Sequence, residues 1–182
     1  MFDINLPGIR VYDFDRQNNV MIENMQGTVG TFSPDGTRLL YPVLVRGAIG
    51  QSFYKHLEMV DFVSLQQTRV SGPPEAPLED WMGAWHPDGE RIAVARTYFD
   101  DRYTPGAQVY MLEVATEDVE PLVVDTDYHH SALAWSTDGQ ILVMERINRR
   151  EPGSFPEVWA YDMVTEELIL ISTDAWLPGF LP

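Results

Sequence analysis

The chain has 182 residues, 45% of them hydrophobic and 22% charged, which is the composition of a folded domain with one ordinary core rather than of a disordered segment. Its formal net charge of −16, from 28 acids against 12 bases, repels phosphate backbones and argues against nucleic-acid binding through a basic face. Cysteine is absent, so disulfides, thiolate metal sites and cysteine nucleophiles are excluded together.

Met1-Phe2-Asp3-Ile4-Asn5-Leu6-Pro7 has neither the basic region nor the apolar core of a secretory signal. A cytoplasmic setting is therefore the default expectation, with a periplasmic or extracellular one as the alternative for a chain whose signal has been removed. No apolar stretch is long enough to span a bilayer, so membrane insertion is not expected.

In chain order, Ile9 to Asp15 and Asn19 to Glu23 read as two short strands. Asp13-Phe14-Asp15 with Asn18 has some acids of a calcium loop but lacks its central glycine and distal glutamate, and is read as a β-turn. Then comes a signature that recurs three times: Phe32-Ser33-Pro34-Asp35-Gly36, Trp85-His86-Pro87-Asp88-Gly89 and Trp135-Ser136-Thr137-Asp138-Gly139. Proline presets the first corner of a turn, aspartate bonds the backbone ahead, and glycine takes the left-handed conformation, so each is a tight β-hairpin. The aspartates recur at spacings of 53 and 50 residues, which makes the repeating unit about 50 residues long.

After each glycine the pattern resumes with a second strand: Leu39-Leu40-Tyr41, Ile92-Ala93-Val94 and Leu142-Val143-Met144. A third follows at Met59 to Val63, Val109 to Leu112 and Val158 to Tyr161, and a fourth at Thr68 to Val70, Pro121 to Val124 and Leu168 to Ile171. Four antiparallel strands per unit is a propeller blade, so the fold class is all-β, a partial β-propeller. The expected division is an outer half-blade at residues 1–25, blades at 26–73, 74–125 and 126–173, and an inner strand of a further or shared blade at 174–182. Trp85 and Trp135, at the position of Phe32, are expected between blades.

The hairpin motif, with Leu39 and Tyr41 behind it and Val109-Tyr110 later, resembles the TolB-like repeat of the WD type, which also occurs in the propellers of prolyl-oligopeptidase-type enzymes. The resemblance covers most of residues 9–172, with Thr137 departing from the motif's proline. It implies a propeller of six to eight blades and says little about activity, because one architecture hosts many.

An open arc of blades leaves a bare strand edge and an apolar face at each end. Self-association is the favoured expectation, two copies closing one ring with two-fold symmetry. Closure within the chain as a small four-bladed ring, or docking on another protein, are the alternatives.

The loops joining second to third strands, and each blade to the next, share one face of a propeller and are the long ones here. The candidate partner- or ligand-binding residues lie there: Arg96, Tyr98, Asp100, Asp101, Arg102, Tyr103, Asp127, Tyr128, His129, His130, Arg146, Arg149 and Arg150. The arginines of the last blade are expected to pair with Asp100 and Asp101 of the neighbouring loop. Arg96, Arg102 or Arg146 could instead anchor an anion in the channel. Asp125, Asp127, His129 and His130 have metal-ligand chemistry but no spaced partner motif, and are read as a polar interblade loop. No Gly-x-Ser-x-Gly elbow, His-Glu-x-x-His pair or phosphate loop is present, and no cofactor or catalytic residue is assigned. The sequence-level reading is a non-catalytic binding or scaffolding module. The propeller portion of a hydrolase, or an anion binder using the channel face, is the alternative.

Overall fold

The computed structural model describes residues 8–14, 17–24, 30–46 and 53–180. Among them the chain is entirely β. Strands β1 (Gly8–Asp13) and β2 (Asn18–Glu23) pair as a two-stranded sheet. Three four-stranded antiparallel sheets follow. The first holds β3 (Thr31–Phe32), β4 (Arg38–Arg46), β5 (Phe53–Asp61) and β6 (Gln67–Arg69). The second holds β7 (Leu78–Trp85), β8 (Arg91–Tyr98), β9 (Gln108–Glu113) and β10 (Val119–Val123). The third holds β11 (Tyr128–Trp135), β12 (Ile141–Asn148), β13 (Glu157–Asp162) and β14 (Leu168–Thr173). Strands are hydrogen-bonded in chain order in every sheet, as in a propeller blade.

The three hairpins share one geometry. The amides of Gly36, Gly89 and Gly139 donate to the carbonyls of Ser33, His86 and Ser136 at 2.8, 2.9 and 3.0 Å. All three glycines have φ near +70°, which L side chains resist. The aspartate before each glycine accepts from the amide two residues on: Thr37, Glu90 and Gln140. Thr137 in place of proline leaves the third turn unchanged. The Ser33 hydroxyl, with help from Thr37, holds the Asp35 carboxyl at about 2.

Blades stack through apolar seams. Ile22 of the half-blade packs with Leu39, Tyr41 and Val60 of the first blade. Leu40, Leu57 and Met59 on that blade's other face meet Trp85, Ile92, Val94, Tyr110 and Leu112 of the second. Ala93, Val109 and Val123 of the second meet Leu142 and Met144 of the third, with Trp135, Trp159 and Tyr161 packed against them. Alternation along each strand supplies both faces, because the first and second blades each pack between two neighbours.

Two strands bulge. Register slips by one between Asp80 and Met82 in β7, and between Ser131 and Ala134 in β11, where Ala132 takes φ +48°. After β14 the chain makes no strand through residue 180. It folds back over the third blade instead, where the Leu177 amide donates to Glu145 Oε2 at 3.2 Å. The expected inner strand at 174–182 is thus absent from 174–180, and residues 181–182 lie outside the described residues.

Candidate functional site

The long-loop face gathers buried and exposed arginines with their acidic partners. Loops from successive blades meet because the start of each third strand lies beside the start of the next blade's first strand. The Lys55 amide donates to Glu79 Oε1 at 3.1 Å, and the His130 amide donates to the Ala107 carbonyl at 3.0 Å. Tyr54 and Phe99 stack across the first such junction with centroids 4.6 Å apart.

Arg96 points into the protein. It is buried and forms a two-pronged pair with buried Asp80, Nε to Oδ1 at 2.6 Å and Nη2 to Oδ2 at 2.7 Å. Ser71 donates its hydroxyl to the same carboxylate and accepts from the Leu57 amide, tying the preceding interblade loop into the network. Burial works against the Arg96 charge, and the pairing with Asp80 more than offsets it, so its pKa is raised. Above it, Arg102 stacks on Tyr98 at 3.9 Å and binds Asp100, whose carboxyl it holds below the usual range. Tyr103 and Asp101 lie exposed beside them.

The next blade repeats the plan with other residues. Arg146, also buried, pairs with Asp125 and sits between Tyr128 and Trp159, at 3.9 and 4.6 Å from their ring centres. Arg150 pairs with Asp127 at 2.6 Å, and Arg149 donates to the Thr126 carbonyl. The expected pairing of these arginines with Asp100 and Asp101 is therefore corrected. Each cation is satisfied by the interblade loop leading into its own blade, while Asp100 turns to Arg102 two residues away.

The two histidines go separate ways. His129 Nδ1 accepts from the Ala107 amide at 3.1 Å, and the ring meets the edge of Trp81 at 5.2 Å. His130 is fully buried and donates from Nδ1 to the Ala107 carbonyl at 2.9 Å. Burial lowers the His129 pKa and brings that of His130 to about 4, so both rings are neutral at neutral pH. Asp125 and Asp127 thus turn to Arg146 and Arg150, while His129 and His130 bond the amide and the carbonyl of Ala107. Among the described residues no group of three or more His, Asp or Glu side chains could hold a metal ion.

Sequence reasoning missed Asp80, Ser71 and His56, whose Nε2 donates to the Leu78 carbonyl at 3.1 Å. It also missed Trp81, lifted onto the β7 bulge with the Lys55 ammonium 4.9 Å from its ring. Arranged in this way, the face can hold its loops rigidly and offer Tyr103, Trp81, Lys55 and the outer arginines to a partner.

No family profile and no curated protein sequence matches the chain. Solved structures do. TolB from Acinetobacter baumannii superposes with a TM-score of 0.67 at 17% identity, over 98% of this chain and 41% of that one. A prolyl endopeptidase gives 0.64 at 12% over 91% and 26%, and the tricorn protease 0.66 at 10% over 93% and 21%. The chain spans less than half the length of each of these structures. At such identities the likeness is one of fold, and the fold is that of TolB-like β-propeller blades.

Proposed function

We propose that this chain is a non-catalytic protein-binding module whose arc of blades is completed by a second copy of itself. One observation carries the reading: the outer face of the third blade repeats a face that is buried elsewhere. Ala134, Val143, Ala160 and Ile169 are register partners in a row across that blade. The equivalent row of the second blade, with Ala84, Ala93 and Met111, contributes fully buried Ala93 to the seam with the third. In the third blade Val143 and Ala160 are themselves buried, and the row opens to solvent at Ile169, 48% exposed, with Ile171 at 58% on the same edge strand; Trp176 and Leu177 of the returning tail are exposed as well. Contiguous apolar surface of this kind marks an association site.

In this reading the long-loop residues Arg102, Tyr103, Tyr128, Arg149 and Arg150 face a partner protein, and no cofactor takes part. The likeness to peptidase propellers supports a second reading, a module that serves a hydrolase supplied by other sequence. Light scattering decides the first. A dimer at micromolar concentration that Ile169→Lys with Ile171→Lys converts to monomer, with thermal stability kept, is the expected result. A wild-type monomer overturns it.

A further inference from the structure

The three interblade seams differ at one place. Phe32, Trp85 and Trp135 are equivalent: each ends its first strand and pairs with the third residue after the hairpin glycine, Leu39, Ile92 and Leu142. In two seams the hairpin of the preceding blade covers the aromatic and bonds the hairpin glycine. Arg38 lies over Trp85, 4.6 Å from the ring centre, and its Nη2 donates to the Gly89 carbonyl at 2.6 Å. His86 meets the Trp135 ring at 4.7 Å, with Nε2 donating to the Gly139 carbonyl at 3.2 Å. Side chains from two different hairpin positions reach the same spot, so the spot selects for an aromatic-stacking, cationic or imidazole donor.

The first seam has no such cover among the described residues. Phe32 is 49% exposed where Trp85 is 7% exposed, and among the described residues its aromatic neighbour is Phe62, with ring centres 6.0 Å apart. Nothing lies within 4 Å of where a Cβ would stand on Gly36, whereas Gly89 and Gly139 meet Arg38 and His86 there. A groove of about 460 Å³ opens at this point, lined by Val11, Val20, Phe32, Gly36, Phe62 and Leu65.

We propose that this groove binds, in trans, a blade-type β-hairpin of a partner polypeptide, whose arginine or histidine stacks on Phe32 and donates to the Gly36 carbonyl. In the other two described seams the covering residue comes from the hairpin region of the preceding blade, so a hairpin is the shape that fits this groove. The net charge of −16 favours a basic hairpin over an acidic one. This inference is separate from closure by a second copy, in which the third blade of one copy meets the far face of the other's half-blade rather than the seam that holds the groove.

The chain itself supplies the probe: a peptide of residues 30–46, which carries Arg38 in the hairpin that already performs this task one blade on. Added to the ¹⁵N-labelled full chain, it is expected to shift the Gly36 and Phe32 amides saturably. The same peptide with Arg38→Ala is expected to bind about tenfold more weakly, and one with Arg38→Lys in between. Phe32→Ala in the chain is expected to weaken binding as well. Leu65→Lys, on an exposed turn at the groove, tests the same surface without disturbing a strand. Saturable shifts centred on Ile169 instead, equal binding of the Arg38→Ala peptide, or no shift at all would each overturn the proposal. So would shifts of Gly36 and Phe32 on concentrating the chain alone, which assign the groove to a second copy. Failure of self-association in light scattering leaves the peptide result unaffected.

Discussion

At the level of single residues, the seams are held by buried charge as much as by apolar area. Asp80 and Arg96 are both almost wholly out of water, and such a pair is worth little relative to an apolar replacement but much relative to half of itself. Asp80→Ala leaves Arg96 buried without its carboxylate and Ser71 without its acceptor. The expected loss is roughly 3–5 kcal/mol in urea unfolding. His130 makes a second residue-scale prediction. Its folded pKa of about 4 lies below the unfolded value, so folding favours the neutral ring. That stability is fully present above the unfolded pKa and is lost as pH falls toward 4. Unfolding free energy should therefore drop between pH 6.5 and 4 by about 3 kcal/mol from this group alone. Arg146, Asp125 and His129 face the same ring, and burial outweighs the contribution of each of them. His130→Asn should flatten the pH dependence in that window, whatever it does to stability at neutral pH.

At the level of the element, the hairpin is the unit, and its glycines are not equivalent. All three need φ near +70°, which costs a side chain about 1–2 kcal/mol. At Gly36 an added Cβ meets nothing, so Gly36→Ala carries only that cost. At Gly139 the same Cβ would stand 2.4 Å from His86 Nε2 in the neighbouring hairpin. Gly139→Ala should therefore destabilise clearly more than Gly36→Ala in thermal denaturation, and equal losses would contradict the seam geometry. The hairpins were legible in the sequence because proline, aspartate and glycine each do one local job, and the strands because alternation resumed at the same offset behind each. The charged network was not. Counting back from the hairpin pairs Arg96 with Trp81 and Arg146 with Ser131. The one-residue bulge in β7 and β11 shifts those partners to Asp80 and His130. A bulge leaves no period of its own, so residues beyond it cannot be placed by spacing. The segment after β14 escaped for a similar reason: it is held by hydrogen bonds from Ala175 to Pro156 and from Leu177 to Glu145, residues distant in sequence.

For the whole molecule, charge and apolar surface pull in opposite directions, and their balance distinguishes ways of assembling. Two copies each carrying −16 repel one another at any separation within a Debye length, about 10 Å at 0.1 M salt. If the copies meet through exposed Ile169, Ile171, Trp176 and Leu177, the attraction is apolar and salt does not weaken it, while screening removes the repulsion. Dimer affinity should then rise several-fold as salt increases from 0.05 to 0.5 M, measured by sedimentation equilibrium. An association carried by the outer arginines would respond in the opposite sense, because Arg102, Arg149 and Arg150 are solvent-facing and their attraction to acids is screened. A basic hairpin in the Phe32 groove belongs to that second class. The same titration with the residue 30–46 peptide should show binding that weakens with salt, so the two surfaces of one arc would answer ionic strength with opposite slopes.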